Sequence, residues 1–523
     1  MTRKTTVLVA ALLVVAAIAG WLVFRPRDQR VTVPEDAAAG DLTMTPCSIK
    51  VDGVEYQAEC GTLVVPEYRT DPQSRLIAIP VRRILAPSQS LSEPILWLGG
   101  GPGMTNMGEA ARTWLLENHD FIQIGYRGVD GTPVLDCPCF ARAALGQGDD
   151  LLAPESLDAI GEAAAACAED LEAEGVDLRG YTIPEVINDM EDARRALGYE
   201  RVNLLSASYG TRVAQIYAQI YPASLNRSAM IGVNPPGHFL WLPDVVDSQV
   251  EYYAELCRRD SDCAWNTIDL AAVMQRVNSR MPTRWMGIHI DPGRVRLIAF
   301  ALLYHRTTAP MVFDAYVAAD SGDASGLALM SLAYRFVVPH MMTWGEFLAL
   351  GNSADFEPGR DYRSDLARPD AILGAPMSEF IWGSAPGYWP SILMPDEYRH
   401  VQATGIETLL VSGSIDSATP ARFAENELLP ALQNGHHVVI AEQGHTGDFW
   451  KYQPEAAARL LTGFFDTGTP DDSLYQYLPM EFDPPLRFPV LAKLAVILLV
   501  VIVVGLGLVI WLIVRRARRA ARA

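Results

Sequence analysis

Positive charge is scarce along most of this chain. Of 523 residues, 42 are Lys or Arg against 62 Asp or Glu, a formal net charge of -20. Binding a phosphate backbone needs a dense Lys/Arg surface, so no nucleic-acid partner is expected. Acidic residues are absent in turn from residues 1–24 and 490–523, which hold Arg3, Lys4, Lys493, Arg515, Arg516, Arg518, Arg519 and Arg522. Setting those eight cations aside leaves the middle with 34 basic against 62 acidic groups, a balance of -28. Internal repeats and low-complexity blocks are lacking there, and half of the chain is apolar, which excludes intrinsic disorder as the main state and allows a core that stands without staples.

Cysteine is sparse and confined to the middle: Cys47, Cys60, Cys137, Cys139, Cys167, Cys257 and Cys263. In an exported chain the close pairs Cys47 with Cys60 and Cys257 with Cys263 are disulfide candidates, and Cys167 joins Cys137 or Cys139, leaving one thiol over. Cys137-Pro138-Cys139 has a one-residue gap and no nearby His pair, which speaks against zinc. No metal or organic cofactor is expected.

Long apolar runs occur only at the ends. Residues 494–514 carry no charge, and at about 1.5 Å per residue they span roughly 31 Å, the thickness of a bilayer core. Five arginines follow in the last nine residues and place that end in the cytoplasm. Residues 7–24 follow Arg3 and Lys4 and read as a signal anchor or signal peptide. Ala17-Ile18-Ala19 is a candidate cleavage site, but the apolar run continues to Phe24, which favours an uncleaved anchor. Either way the middle lies outside the cytoplasm, with the bilayer as a partner of the ends.

Short apolar runs at 76–84, 95–98, 121–124, 202–205, 229–232, 408–411 and 437–441 read as strands. Helical patterns fill 157–174, 183–197, 210–220 and 422–432. That alternation predicts an α/β fold with a mainly parallel sheet. It breaks between about 236 and 400, an aromatic-rich, helically patterned stretch with the character of a lid over a pocket. The expected layout is an anchor or signal at 1–24, a stalk at 25–45, a core at 46–235, a lid at 236–400, more core at 401–467, a linker at 468–489, a span at 490–514 and a basic tail at 515–523.

Residues 202–205 lead into Ser206-Ala207-Ser208-Tyr209-Gly210, and a helical pattern follows at once. A strand, tight turn and helix in that order form a nucleophile elbow, which lifts a serine oxygen above the sheet. A serine hydroxyl needs a base to take its proton, and the base needs a carboxylate to hold its tautomer. Asp416 stands just past the 408–411 strand, and His445 follows the 437–441 strand, so the order Ser208, Asp416, His445 is that of an α/β hydrolase. His436 and His437 begin a strand, Asp448 lies beyond the histidine and Ser206 comes too early in the turn. Gly99-Gly100-Gly101-Pro102-Gly103 after a strand offers backbone amides to an oxyanion; Gly100 and Tyr209 are the expected donors. The same glycines lack the Gly-Lys-Ser/Thr ending of a phosphate loop.

Gly99 to Gly103, Tyr126-Arg127-Gly128, the Ser206 to Thr211 elbow, the Asp416 segment and Gly444-His445 resemble the proline iminopeptidase and tripeptidyl aminopeptidase branch of the α/β hydrolases. The resemblance covers roughly residues 45–465 and implies an α/β-hydrolase fold with a helical lid and an exopeptidase acting on peptides. Three positions depart from that branch: Gly99 stands where its first motif usually has His, Gly125 where it has Asp, and Ser206 where it has Gly. The resemblance also implies lid carboxylates that receive the substrate ammonium, for which Glu251, Glu255, Asp314, Glu346 and Glu379 are candidates. The same triad fits a carboxylesterase or lipase, and the fold without activity fits a surface binding protein. Epoxide and haloalkane chemistry is disfavoured because it needs Asp where Ser208 stands.

Overall fold

The computed structural model describes residues 30–146, 148–267 and 269–520. Its centre is a nine-stranded sheet in the order β1-β2-β3-β5-β4-β6-β7-β10-β11. The strands are β1 Leu42–Val51, β2 Val54–Pro66, β3 Leu76–Ile84, β4 Ile95–Leu98, β5 Phe121–Ile124, β6 Val202–Ala207, β7 Leu225–Ile231, β10 Glu407–Gly413 and β11 Gly435–Ile440. From β5 through β11 every pairing is parallel, while β1, β2 and β3 form an antiparallel ribbon along one side.

Consecutive residues of the central strands enter opposite faces, and each face has its own apolar cluster. Leu204 and Leu410 join the cluster containing helices α1 (Pro154–Ala173), α2 (Ile183–Ala196) and α3 (Tyr209–Ile220). Leu205, Leu409 and Val411 join the other, with Leu460, Leu461 and Phe464 of α12 (Pro454–Thr467). Burial on both sides is why these strands read as continuous apolar runs. Helix α12 starts with Pro454 in its first turn and ends at Gly468, whose φ of +77° closes the helix without a Cβ penalty.

Between β7 and β10 the chain leaves the sheet and forms a helical layer. Its main helices are α4 (Pro243–Arg259), α5 (Leu270–Ser279), α6 (Pro292–Leu302), α7 (Ala309–Asp320), α8 (Ser325–Val337), α9 (Trp344–Asp355) and α10 (Pro376–Trp382), with a hairpin of β8 (Arg284–Trp285) and β9 (Ile288–His289) before α6. After the sheet come α11 (Thr446–Tyr452), α12 and the long α13 (Phe488–Ala520). Among the described residues α13 is the one helix long and apolar enough to cross a membrane, with a mean hydropathy of 3.4 over a stretch that is not buried. The apolar run at 7–24 lies outside the described residues.

Two elements differ from the expected pattern. The β1–β2 ribbon begins inside the stretch read as a stalk. The helix expected at 422–432 is one α-turn, a π-turn at Ala424–Leu428 and a 3-10 turn at Leu429–Ala431. Pro430 has no amide to continue the ladder there. Disulfides join Cys47 to Cys60, Cys137 to Cys167 and Cys257 to Cys263, and Cys139 is the free thiol.

Candidate active site

Strand β6 ends at Ala207 and α3 starts at Tyr209, so Ser208 alone makes the turn. Its φ of 54° and ψ of -123° are a conformation that a residue with a Cβ adopts only under constraint, at roughly 1–3 kcal/mol. The constraint is local: the Ser208 amide donates to the Ile231 carbonyl of β7 at 2.9 Å. On the other side, a Cβ on Gly210 would lie 2.1 Å from the Leu98 carbonyl oxygen. Strand β4 and the first turn of α3 therefore approach each other through that glycine.

The hydroxyl of Ser208 lies 2.9 Å from Nε2 of His445, whose Nδ1 donates to Oδ2 of Asp416 at 2.7 Å. Asp416 is fully buried yet saturated with donors. Its Oδ1 receives the amides of Ala418 and Thr419, each at 2.9 Å, and its Oδ2 also receives the Thr419 hydroxyl at 2.8 Å. The three residues picked out in the sequence thus meet, although 237 positions separate the serine from the histidine. Gly232, between the two loops, has a φ of +65°, and a Cβ on it would sit 3.1 Å from Cε1 of His445.

The glycine loop lies directly over the serine. A Cβ on Gly100 would be 2.6 Å from the Cβ of Ser208 and 3.3 Å from its hydroxyl oxygen. The loop is held from below by Asn106, whose Oδ1 accepts the Gly99 amide at 2.7 Å and whose Nδ2 donates to the Ile124 carbonyl at 2.7 Å. Tyr126 donates its hydroxyl to the Gly99 carbonyl at 3.0 Å. Tyr209 opens α3, and a first-turn amide has no intrahelical acceptor. Gly100 thus lies against Ser208, and Tyr209 follows it at the start of α3.

Residues without a signal in the sequence tie the helical layer to this site. Arg212, on α3 and fully buried, donates to Asp355 of α9 at 2.9 Å and to Asn234 at 2.9 Å. Tyr304 gives its carbonyl to the His445 amide at 2.5 Å and packs its ring edge-on against the imidazole. Asp448 accepts the amides of Arg306 at 3.0 Å and Gly444 at 2.8 Å, so it fixes the histidine loop to the layer. The pairs Arg212–Asp355 and Arg306–Asp448 are 143 and 142 residues apart, and a contact of that range leaves no local pattern to read.

Of the five lid carboxylates, Glu251 is exposed, while Glu255 pairs with Arg259, Asp314 with Arg487 and Glu379 with Arg296. Glu346 alone is wholly buried. It accepts the Gly103 amide, while the Thr343 amide donates to the Gly103 carbonyl at 2.8 Å. Its second oxygen has no hydrogen-bond partner among the described residues. Burial pushes its carboxyl well above the usual range; the Gly103 amide opposes that and Asp130 adds to it.

A raised carboxyl favours the folded state at low pH, and that advantage is lost as pH climbs from the ordinary Glu value toward the raised one. Glu346→Gln cannot ionise. Its stability relative to the parent should therefore rise with pH over the range above the ordinary Glu value, by at most about 1.4 kcal/mol per pH unit. Thermal midpoints of the two proteins across that range measure this; a gap that does not change with pH contradicts it.

Residues 384–474, which include Asp416 and His445, match the family model described as TAP-like protein. The tripeptidyl aminopeptidase of Streptomyces lividans is 26% identical over 298 residues, covering 50% of this chain and 54% of that protein. The putative hydrolase YuaR of Escherichia coli strain K12 is 26% identical over 224 residues, covering 39% of this chain and 43% of that protein. This chain therefore spans about half the length of the curated relatives it matches. A solved serine hydrolase from the bacterium Cycloclasticus zankles aligns over 82% of this chain and 100% of its own, with 13% identity and a TM-score of 0.36. Sheet order and elbow are those of an α/β-hydrolase fold, and the chain is similar over residues 384–474 to the TAP-like family model and, at 26% identity, to tripeptidyl aminopeptidases.

Proposed function

We propose that this chain is a membrane-anchored, extracytoplasmic serine hydrolase that cleaves peptides from their amino end, of the proline iminopeptidase or tripeptidyl aminopeptidase type. The observation that carries the hydrolase reading is the unbroken chain from Ser208 through His445 to Asp416, at 2.9 and 2.7 Å. The tripeptidyl aminopeptidase relatives support the peptide reading. Helix α13 and the three disulfides support the location.

In this mechanism the Ser208 oxygen attacks the scissile carbonyl as Nε2 of His445 takes its proton. Asp416 holds the imidazole in the tautomer with a free Nε2 and steadies the imidazolium. The amides of Gly100 and Tyr209 receive the oxyanion. The imidazolium then protonates the leaving amine, the C–N bond breaks, and an acyl ester on Ser208 remains. Water activated by the same histidine hydrolyses that ester and restores the serine.

The substrate test compares tripeptidyl amides bearing a free amino terminus with their acetylated counterparts and with short acyl esters. An aminopeptidase turns over the free amides at least tenfold faster in kcat/KM than the blocked ones. Ester turnover with no amide cleavage supports instead a carboxylesterase or lipase, a reading that the aromatic helical layer also accommodates. No turnover of any substrate by protein with an intact Ser208 supports a surface binding protein.

A further inference from the structure

The foot of α13 is built into the helical layer. Ser325, at the start of α8, donates its hydroxyl to the Pro489 carbonyl at 3.3 Å. A Cβ on Gly326 would lie 3.1 Å from the Pro489 ring, so the two helices touch through a glycine. Lys493 pairs with Asp323 just before α8. Helix α8 is the main element packed on α13, with α7 beside it.

That packing continues past the start of the uncharged run at residue 494. Pro489 and Ala492 are buried, Val496 and Leu498 are half-buried, and from 499 to 519 the helix is exposed. Contact thus begins at the first residues of both helices and shielding reaches Leu498, which sets α8 alongside α13 and pointing the same way. At about 1.5 Å per residue, the C-terminal half of α8 lies level with the first turns of the run.

That half of α8 is apolar toward the outside. Leu332, Phe336 and Val337 are 41%, 74% and 39% exposed; Leu332 and Phe336, four residues apart, share one helical face, and Val337 follows at the helix end. The β8–β9 hairpin packs on α8 and presents Met286, 72% exposed, at its tip. Neither element contains an acidic residue, while Arg284 and Arg335 are exposed beside the apolar group. Apolar side chains flanked by arginines suit a bilayer interface, where stems lie among acyl chains and guanidinium groups meet phosphates.

We propose that Leu332, Phe336, Val337 and Met286 form a second membrane contact, a face of the helical layer that sits in the outer leaflet beside the helix that crosses it. The proposal rests on α13 being in the membrane. It also places the active site close to the lipid surface: six residues after Val337, Thr343 bonds to Gly103 of the glycine loop over Ser208.

The test uses the full chain in nanodiscs of phosphatidylcholine and phosphatidylglycerol, with and without brominated acyl chains. An environment-sensitive NBD label is placed on a single cysteine at Phe336→Cys, Met286→Cys, Val504→Cys or Leu91→Cys, each in a Cys139→Ser background. The proposal expects labels at 336, 286 and 504 to lose at least half their emission to bromine, and the label at 91 to lose none. Emission at 336 and 286 unaffected by bromine, with 504 quenched, overturns the lid contact and leaves the span in place. An unquenched label at 504 overturns the membrane reading itself. A blue-shifted but unquenched label at 336 assigns the face to a second copy of the chain and also overturns the proposal.

Discussion

Ser208→Ala lowers kcat by up to about a millionfold, by analogy with loss of the nucleophile in other triads, while the substrate Kd changes little. The large effect follows from the geometry around the turn. Ser208 is the one residue between β6 and α3, its hydroxyl is the group within 2.9 Å of His445, and alanine tolerates the same backbone no worse than serine does. A folded variant is therefore expected, with the oxyanion donors intact and only residual turnover. Asp416→Asn falls less far, about ten-thousandfold, because it leaves the nucleophile and base in place but favours the wrong imidazole tautomer. Stopped assays on protein with an unchanged thermal midpoint measure both; turnover of Ser208→Ala within tenfold of the parent contradicts the assignment.

Arg127→Ala destabilises the fold by about 3–5 kcal/mol, the expected loss when one partner of a buried pair is removed. Arg127 is fully enclosed and bidentate to Asp189 at 2.6 and 2.7 Å. It also donates to the carbonyls of Glu67 and Gly180, each at 2.6 Å. Arg69 shares Asp189 at 2.7 Å and reaches Glu185 at 2.5 Å, so the carboxylates are not wholly abandoned, but the two carbonyls are. This cluster ties the loop after β5 to the end of β2 and to α2, which sets the base on which the glycine loop rests. Arg127→Lys recovers only part, since one ammonium cannot reproduce the planar fork. Denaturant midpoints should order parent, lysine and alanine; an alanine variant within 1 kcal/mol of the parent would contradict the structural role.

The parallel half of the sheet was legible because its strands inside the edge strand β11 are buried on both faces. Residues 95–98 are a short, wholly apolar run and 121–124 are one broken only by Gln123, and their observed bounds coincide with the expected ones. The β1–β2 ribbon was not legible for the opposite reason. One of its faces is exposed, Thr, Ser, Gln, Glu and Lys alternate along it, and Pro46 stands within β1. Gly61 of β2 weakens the pattern further, and the structure shows why it is glycine: a Cβ would lie 1.9 Å from the Thr43 carbonyl oxygen across the ribbon.

The triad was readable because each member stands at the end of a recognisable strand, so order along the chain carries position in space. Its supports were not. Asn106 lies in a loop that looks like any other, and Arg212 with Asp355 is a pair 143 residues apart. Glu346 illustrates the same limit from another side. Among five lid carboxylates its sequence surroundings are unexceptional, and only folding shows that four lie in solvent or beside arginines whereas this one meets the glycine loop.

The most direct measurement of the central claim is mass-spectrometric mapping of the full-length protein after reaction with a fluorophosphonate. The account predicts one adduct, on the peptide containing Ser208, absent from Ser208→Ala and formed in step with the loss of hydrolysis. An adduct on a different serine that abolishes turnover, or full inhibition with Ser208 unmodified, would contradict it.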